Sequence, residues 1–408
     1  MKKSIGIWRS WALVAGMMIG SGIFTLPALL ASYGSFSFIG WAVTGFGAMC
    51  LALSYSYLSA RQSGLGGPYF FVQQAFGKIP AAIVGWGYWI SLVSSVAAIA
   101  LSFSGYSQNY LPILASEPLY STIFSILIIL FFTAINLWGV REASAVQLIT
   151  TIIKILPLLL IGLAGILFGE VTEIPAVNPD DSNIFKMVAA LCLLIMWAFI
   201  GVESATLPAE DTIDPKKTIP RASILGTLTA LAVYVIAMLG IMSIMPLGDL
   251  QNSASPFADA ARLIIGDTGA IIITIGALFA IAGTLNVCIL IAGSILLAGA
   301  RDKIFPSYFS QQNKQGTPIR ALVCCAVIAI TLLFLNSSKT LMNGFEYLLI
   351  IATFAALIVY LATSLASIKL QWQDHKQGQP LSYVQFSIAL LACSFSLLAI
   401  WGAWVLYQ

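Results

Sequence analysis

Charge is what this sequence has least of. Only 9% of its 408 residues are Asp, Glu, Lys or Arg, against about 25% in a soluble domain, so a water-facing globular surface cannot be built from it. Histidine occurs once, His375, in the polar stretch "QWQDHKQGQP". That excludes His-based catalytic sets, and the ring reads as solvated. The six cysteines, Cys50, Cys192, Cys288, Cys324, Cys325 and Cys393, fall in apolar stretches without C-x-x-C spacing, so neither a disulfide framework nor a thiolate metal centre is indicated. The chain has no P-loop, no G-x-S-x-G and no H-E-x-x-H, so enzymatic activity is not expected and nothing calls for a metal or a cofactor. Ten-residue segments of alternating polarity are also missing, which excludes a closed transmembrane barrel.

What the sequence has is apolar helix. Hydrophobic residues make up 59% of it and its mean hydropathy is +0.95. Runs long enough to cross a hydrocarbon core of about 30 Å, which takes about 20 helical residues, recur along the whole length. They predict an all-α polytopic membrane protein with eleven spans, at 8–32, 36–60, 80–107, 121–140, 146–168, 185–209, 221–246, 268–299, 318–336, 342–368 and 382–407. The first is too long, and too continuous with the residues after it, for a removable signal, and reads as a span.

Positive charge sets the expected orientation. With the N-terminus inside, fifteen Lys and Arg lie in inner segments: Lys2, Lys3, Arg9, Arg61, Lys78, Arg141, Lys216, Lys217, Arg221, Arg301, Lys303, Lys314, Arg320, Lys369 and Lys376. Outer segments hold Lys186, Arg262 and Lys339, with an acidic outer loop at Glu170, Glu173, Asp180 and Asp181. The C-terminus then falls outside, and the bilayer is the inner membrane. The net charge of +3 describes this topology and gives no reason to expect nucleic acid as a partner.

Two stretches share one pattern. "IGSGIFTLP" (19–27) and "IGVESATLP" (200–208) both read I-G-x-x-x-x-T-L-P, placing small, polar or acidic residues inside spans one and six. Five spans separate their starts, so the copies run in opposite senses, as in transporters built from inverted repeats with broken helices at the midplane. Glycines in mid-span weaken the helix, and the half-helix that restarts after them points free N–H groups and a positive dipole end at an anion. A substrate carboxylate suits that place. Close helix packing by Gly16 and Gly20 is the competing reading of the first copy.

The second copy adds Glu203, an ionisable residue well inside a span, where charge is expensive and by default functional. It reads either as a cap on the restarted helix or as a proton carrier. Just before it, residues 197–200 end a half-helix whose carbonyls suit a substrate ammonium, and Trp197 offers an aromatic wall or ordinary packing. Lys154, in "TTIIKILPLLL", is the one cation inside a span. Either it snorkels to the inner surface, or it stands as a fixed ammonium where another transporter would bind sodium, with a pKa open to shifting. The loops "PAEDTIDPKKTIPRA" and "RDKIFPSYF" read as turns and gating elements.

Taken together, "GMMIGSGIFTLPALLASYG", "WAFIGVESATLPAEDTIDPKKTIPRA", "SASPFADAARLIIGDTGA" and "RDKIFPSYFSQQNKQGTP" resemble the amino acid, polyamine and organocation (APC) transporter superfamily, close to its basic amino-acid/polyamine antiporters. The resemblance runs from the first span to the eleventh. It implies a LeuT-type fold, with residues 1–168 and 169–381 as inverted five-span repeats and 382–408 as an additional span. By motif position it implies that Ser21 and the Gly22 amide take the substrate carboxylate. The carbonyls of Ile19, Trp197 and Ile200 would take its ammonium, and Glu203 would serve proton-linked gating.

Departures from the arginine antiporters of that family bear on the substrate. Cys288, in "TLNVCILIAG", stands where they place a tryptophan that stacks on the guanidinium, and Val96, in "SLVSSVAAIAL", where they place an asparagine. Loss of that stacking and hydrogen bonding disfavours arginine. The expected substrate is therefore a neutral amino acid, moved by alternating access without sodium, by proton symport or exchange. A cationic amino-acid or polyamine antiporter is the alternative; a channel or a non-transporting sensor is less favoured. A twelfth span, present in the antiporters, is missing, which puts in doubt a dimer interface built on the last helices.

Overall fold

The computed structural model describes residues 5–62, 67–138, 143–171, 174–179, 183–206, 212–313 and 316–406. Lys2, Lys3, Arg141, Glu173, Asp180, Asp181, Pro208 and Lys314 lie outside them. The described residues are helical apart from short connections and two isolated bridges, Ile5 with Thr212 and Gly34 with Ala176.

Among the described residues, ten helical stretches are long and apolar enough to cross a membrane. In chain order they are span one (Ile7–Tyr33), two (Ser37–Arg61), three (Lys78–Ser107), four (Pro118–Leu137), five (Thr151–Phe168, on a helix beginning at Ala143), six (Ile184–Thr206), seven (Pro215–Ile244), eight (Asp267–Arg301), ten (Leu341–Lys376) and eleven (Tyr383–Leu406). The shorter apolar helix Ile319–Leu335 lies where the ninth span was expected. Bilayer thickness fixes the length of such helices, which is why the expected and observed spans differ by only a few residues at most ends. The largest difference is span ten. Its helix runs on through "QWQDHK" to Lys376, so His375 lies in the last turn of a helix that projects past the apolar run.

The outward faces are apolar, as lipid requires. On span five, Ile152, Leu156, Leu160 and Leu163 form an exposed stripe at helical spacing, while Lys154 on the opposite side is 1% exposed. Inside, span three is the axis, packed on both span eight and span ten. The first half of span one packs against spans five and seven, and the first half of span six against spans two and eleven. Span eleven therefore contributes to the body that holds span six.

Spans one and six are both interrupted. Span one is a helix Ile7–Met18, then Ile19 (φ −78, ψ 89) and Gly20 (φ −147, ψ −144) in non-helical geometry, then a second helix Ser21–Leu30. Span six is a helix Ile184–Met196, a 3₁₀ turn Trp197–Phe199, an extended Ile200 (φ −60, ψ 126) and Gly201 at φ +112. That left-handed value is open to glycine; a Cβ there would also stand 2.8 Å from the Met17 Cβ.

One expectation is corrected here. Among the described residues, span six does not restart as an α-helix with Glu203 in its first turn. Among the described residues it continues as turns closed by Val202 N–H to Phe199 O, Ser204 N–H to Gly201 O and Thr206 N–H to Glu203 O, ending in the 3₁₀ segment Ser204–Thr206. Its small hydroxylated residues favour such tight bonding: the Ser204 and Thr206 hydroxyls donate to the carbonyls of Gly201 and Glu203.

Candidate functional site

The two interruptions meet. Between them lies a small cavity of about 30 Å³, lined on span one by Met17, Met18, Gly20, Ser21 and Gly22 and on span six by Trp197 and Ile200. Span three adds Leu92, Ser95 and Ile99; span eight adds Thr284 and Cys288. Of the residues singled out from sequence, Ser21, Gly22, Trp197, Ile200 and Cys288 thus share one cavity. Ile19 and Val96 are buried but stand behind its lining. The face of span three turned to the cavity runs Leu92, Ser95, Ile99, one position round the helix from Val96. Thr284 was missed, although it sits one helical turn before Cys288 and so on the same face.

The span-one side is built of backbone. Ser21, Gly22 and Ile23 begin the ten-residue helix Ser21–Leu30, so their N–H groups belong to the set a helix leaves unpaired at its start. Side chains are excluded there by contact. A Cβ on Gly20 would lie 2.6 Å from Thr284 Oγ1, and one on Gly22 3.0 Å from Trp197 Cδ1.

On the span-six side the carbonyls are not all free. Ala198 O accepts the Tyr234 hydroxyl at 2.9 Å and Phe199 O accepts Val202 N–H. Trp197 O accepts Ile200 N–H at a long 3.3 Å, which leaves it a second lone pair. The Trp197 ring meets Phe345 of span ten edge to face, 6.2 Å between centroids.

Glu203 is fully buried. Its carboxylate takes the Tyr88 hydroxyl at 2.6 Å and the Tyr360 hydroxyl at 2.9 Å, so spans three, six and ten are joined through one acid. Tyr55 extends the cluster, 6.2 Å from Tyr360 ring to ring. Lys154 does not snorkel. Its ammonium donates to Gly16 O at 3.1 Å and to Thr284 Oγ1 at 2.9 Å, pinning span five to the last turn of the broken helix and to the cavity wall on span eight.

Both ends of the molecule carry polar closures. At one end Arg61 meets both oxygens of Asp374, at 2.8 and 2.9 Å, Tyr57 donates to the same carboxylate, and Tyr69 donates to Asp302 at 2.8 Å. Burial and the facing carboxylate push the Tyr69 phenol above its usual pKa, so it stays a donor. At the other end a cavity of about 700 Å³ is lined by Ser32, Gln108, Asn252, Asn343 and Glu346. Phe24, packed edge to face against Tyr106 and Phe257, lies between that cavity and the break.

A multi-pass helical protein with two facing helix breaks around one small cavity belongs to the class of secondary transporters. The amino acid permease family profile matches residues 5–406, and the chain belongs to that family, within the APC superfamily. It is 31% identical to the putative arginine/ornithine antiporter of Bacillus subtilis, over 98% of this chain and 91% of that protein. It is 29% identical to the cadaverine/lysine antiporter of Escherichia coli, over 98% and 90%, and 28% identical to the putrescine transporter PotE of Escherichia coli, over 90% and 84%.

Proposed function

We propose that this protein is an antiporter of the inner membrane that exchanges a cationic amino acid for a related amino acid or amine. The observation that carries transport is the meeting of both helix breaks at one cavity. The carboxylate end of the substrate rests on the amides that open Ser21–Leu30, and its ammonium on the carbonyls of Ile19, Trp197 and Ile200. Residues 1–168 and 169–381 act as inverted repeats that rock about this point, with the N-terminus inside. The protein works as a carrier, not an enzyme.

Two facts favour a cation over the neutral substrate expected from sequence. The relatives of this chain include an arginine/ornithine antiporter, a cadaverine/lysine antiporter and a putrescine transporter. The buried Glu203 carboxylate also lies one turn beyond Ile200, with two phenols to hold it or to pass a proton.

The neutral reading keeps one observation of its own. Leu92, Ile99 and Cys288 give the cavity an apolar wall on spans three and eight, and no carboxylate is among its described lining residues. Counterflow into proteoliposomes decides between them. Labelled lysine, ornithine or arginine should enter vesicles preloaded with the same compounds or their amines, and leucine, alanine and methionine should compete poorly. The reverse order of competition would make the substrate neutral.

A further inference from the structure

The Trp197 indole N–H is a buried donor without a partner. Its residue is 6% exposed, its Nε1 makes no hydrogen bond, and its ring lines the cavity between the breaks. The N–H edge of the ring faces Gly22: a Cβ built on that glycine would stand 3.0 Å from Cδ1 and 3.1 Å from Nε1. Phe345 holds the ring from the side, at an interplanar angle of 88°. The space that glycine leaves open is therefore bounded by backbone amides on one side and by an indole donor on the other.

Indole nitrogen donates and never accepts. It can serve an anionic oxygen and can do nothing for an ammonium. A buried donor left unmade is costly, and such groups in native structures ordinarily find a partner; here the space beside Nε1 adjoins Gly22 and the cavity between the breaks.

We propose that the Trp197 indole N–H donates a hydrogen bond to the carboxylate of the bound amino acid, and that Trp197 is thereby the residue that distinguishes an amino acid from its decarboxylated amine. This rests on the reading that the carboxylate lies against Ser21 and Gly22. An exchanger that takes an amino acid one way and an amine the other must bind both at one place. The amine gains nothing from the indole N–H, so this bond weights the exchange toward loading the carboxylate-bearing partner.

The test is calorimetric binding to the purified full-length protein and its Trp197→Phe variant, which keeps an aromatic ring and removes the donor. Lysine, cadaverine and lysinamide form one matched set; leucine, isopentylamine and leucinamide form a second. In whichever set the wild type binds, Trp197→Phe should weaken the free amino acid about tenfold or more, the low end for a lost hydrogen bond to a charged group, and leave the amine and the amide within about twofold. Binding of the leucine set alone would fail the cationic reading while leaving this comparison intact. Equal weakening of all three ligands would reduce Trp197 to packing and overturn the proposal, as would no change in any.

Benzothienylalanine incorporated at position 197 replaces the ring N–H by sulfur at nearly constant shape, and should reproduce the selective loss if the phenylalanine variant does not fold. Gly22→Ala separates the underlying reading. If it leaves the affinity of carboxylate ligands unchanged, the carboxylate does not lie at Gly22, and the proposal falls with it.

Discussion

At the scale of the residue, Gly22 and Cys288 are the sharpest probes of the cavity. A methyl group at position 22 would press on the indole of Trp197, and the helix start it sits on has no room to retreat among wholly buried neighbours such as Ile19 and Ile23. Gly22→Ala should therefore weaken binding of the carboxylate-bearing substrate by an order of magnitude or more, measured by calorimetry, with folding monitored by melting temperature. Cys288, whose thiol faces the Leu92 carbonyl at 3.4 Å, lines the same cavity. Its modification by a small methanethiosulfonate should be slowed in proportion to substrate occupancy. Modification at an unchanged rate under saturating substrate would remove Cys288 from the site.

The two breaks were legible because one motif is written twice with glycine beside polar residues in mid-span, and Glu203 stood out because a carboxylate in lipid needs a reason. Its partners were not. Tyr88 and Tyr360 lie 115 and 157 residues away in the chain, and a buried tyrosine in an apolar span looks like any other aromatic until its hydroxyl is placed. Val96, placed by resemblance to the family, is not among the residues that line the cavity. Choosing which side of span three faces inward takes the phase of the helix, which Leu92, Ser95 and Ile99 reveal only once neighbouring spans are packed.

At the scale of the element, the acid and the two phenols join three spans that must part if the cavity is to open toward the Arg61 end. Glu203→Gln keeps an acceptor and removes the proton site. If Glu203 carries the coupled proton, exchange by this variant should lose its dependence on pH while substrate binding stays within a few-fold, read from counterflow at several pH values. The pair Arg61 and Asp374 ties span two to span ten by two short bonds. Replacing either residue by alanine should raise the rate at which an impermeant thiol reagent, applied from that face, reaches Cys288. The double replacement should add nothing further, because either change already removes the tie.

The long spans were legible, since a bilayer sets a minimum length on every helix that crosses it. The short helices Pro68–Phe76 and Pro256–Ile265 were not. They are under half that length, and they take their positions from the spans they lean on: the first packs on spans three and ten, the second on span eight. Span six was half legible. Its interruption could be read from glycine, but the 3₁₀ turns after it depend on serine and threonine hydroxyls bonding back to the chain, a choice that residue type permits and does not dictate.

At the scale of the whole molecule, a ligand that binds the folded carrier must stabilise it, by about 2.7 kcal/mol at a hundred times its dissociation constant. A thermal-shift screen of the twenty amino acids and common diamines should show lysine, ornithine or arginine, with their amines, among the strongest stabilisers. A screen in which only aliphatic amino acids raise the melting temperature would reverse the assignment of substrate.

The ammonium of Lys154, fastened at once to Gly16 and Thr284, has a consequence for where such a carrier can operate. An amine tethered to the polypeptide cannot be diluted away, and its local concentration is the same in fresh water as in brine. Exchanging every sodium in the bath for choline should leave turnover untouched, whereas Lys154→Ala should slow the cycle and change its coupling far more than it changes substrate affinity.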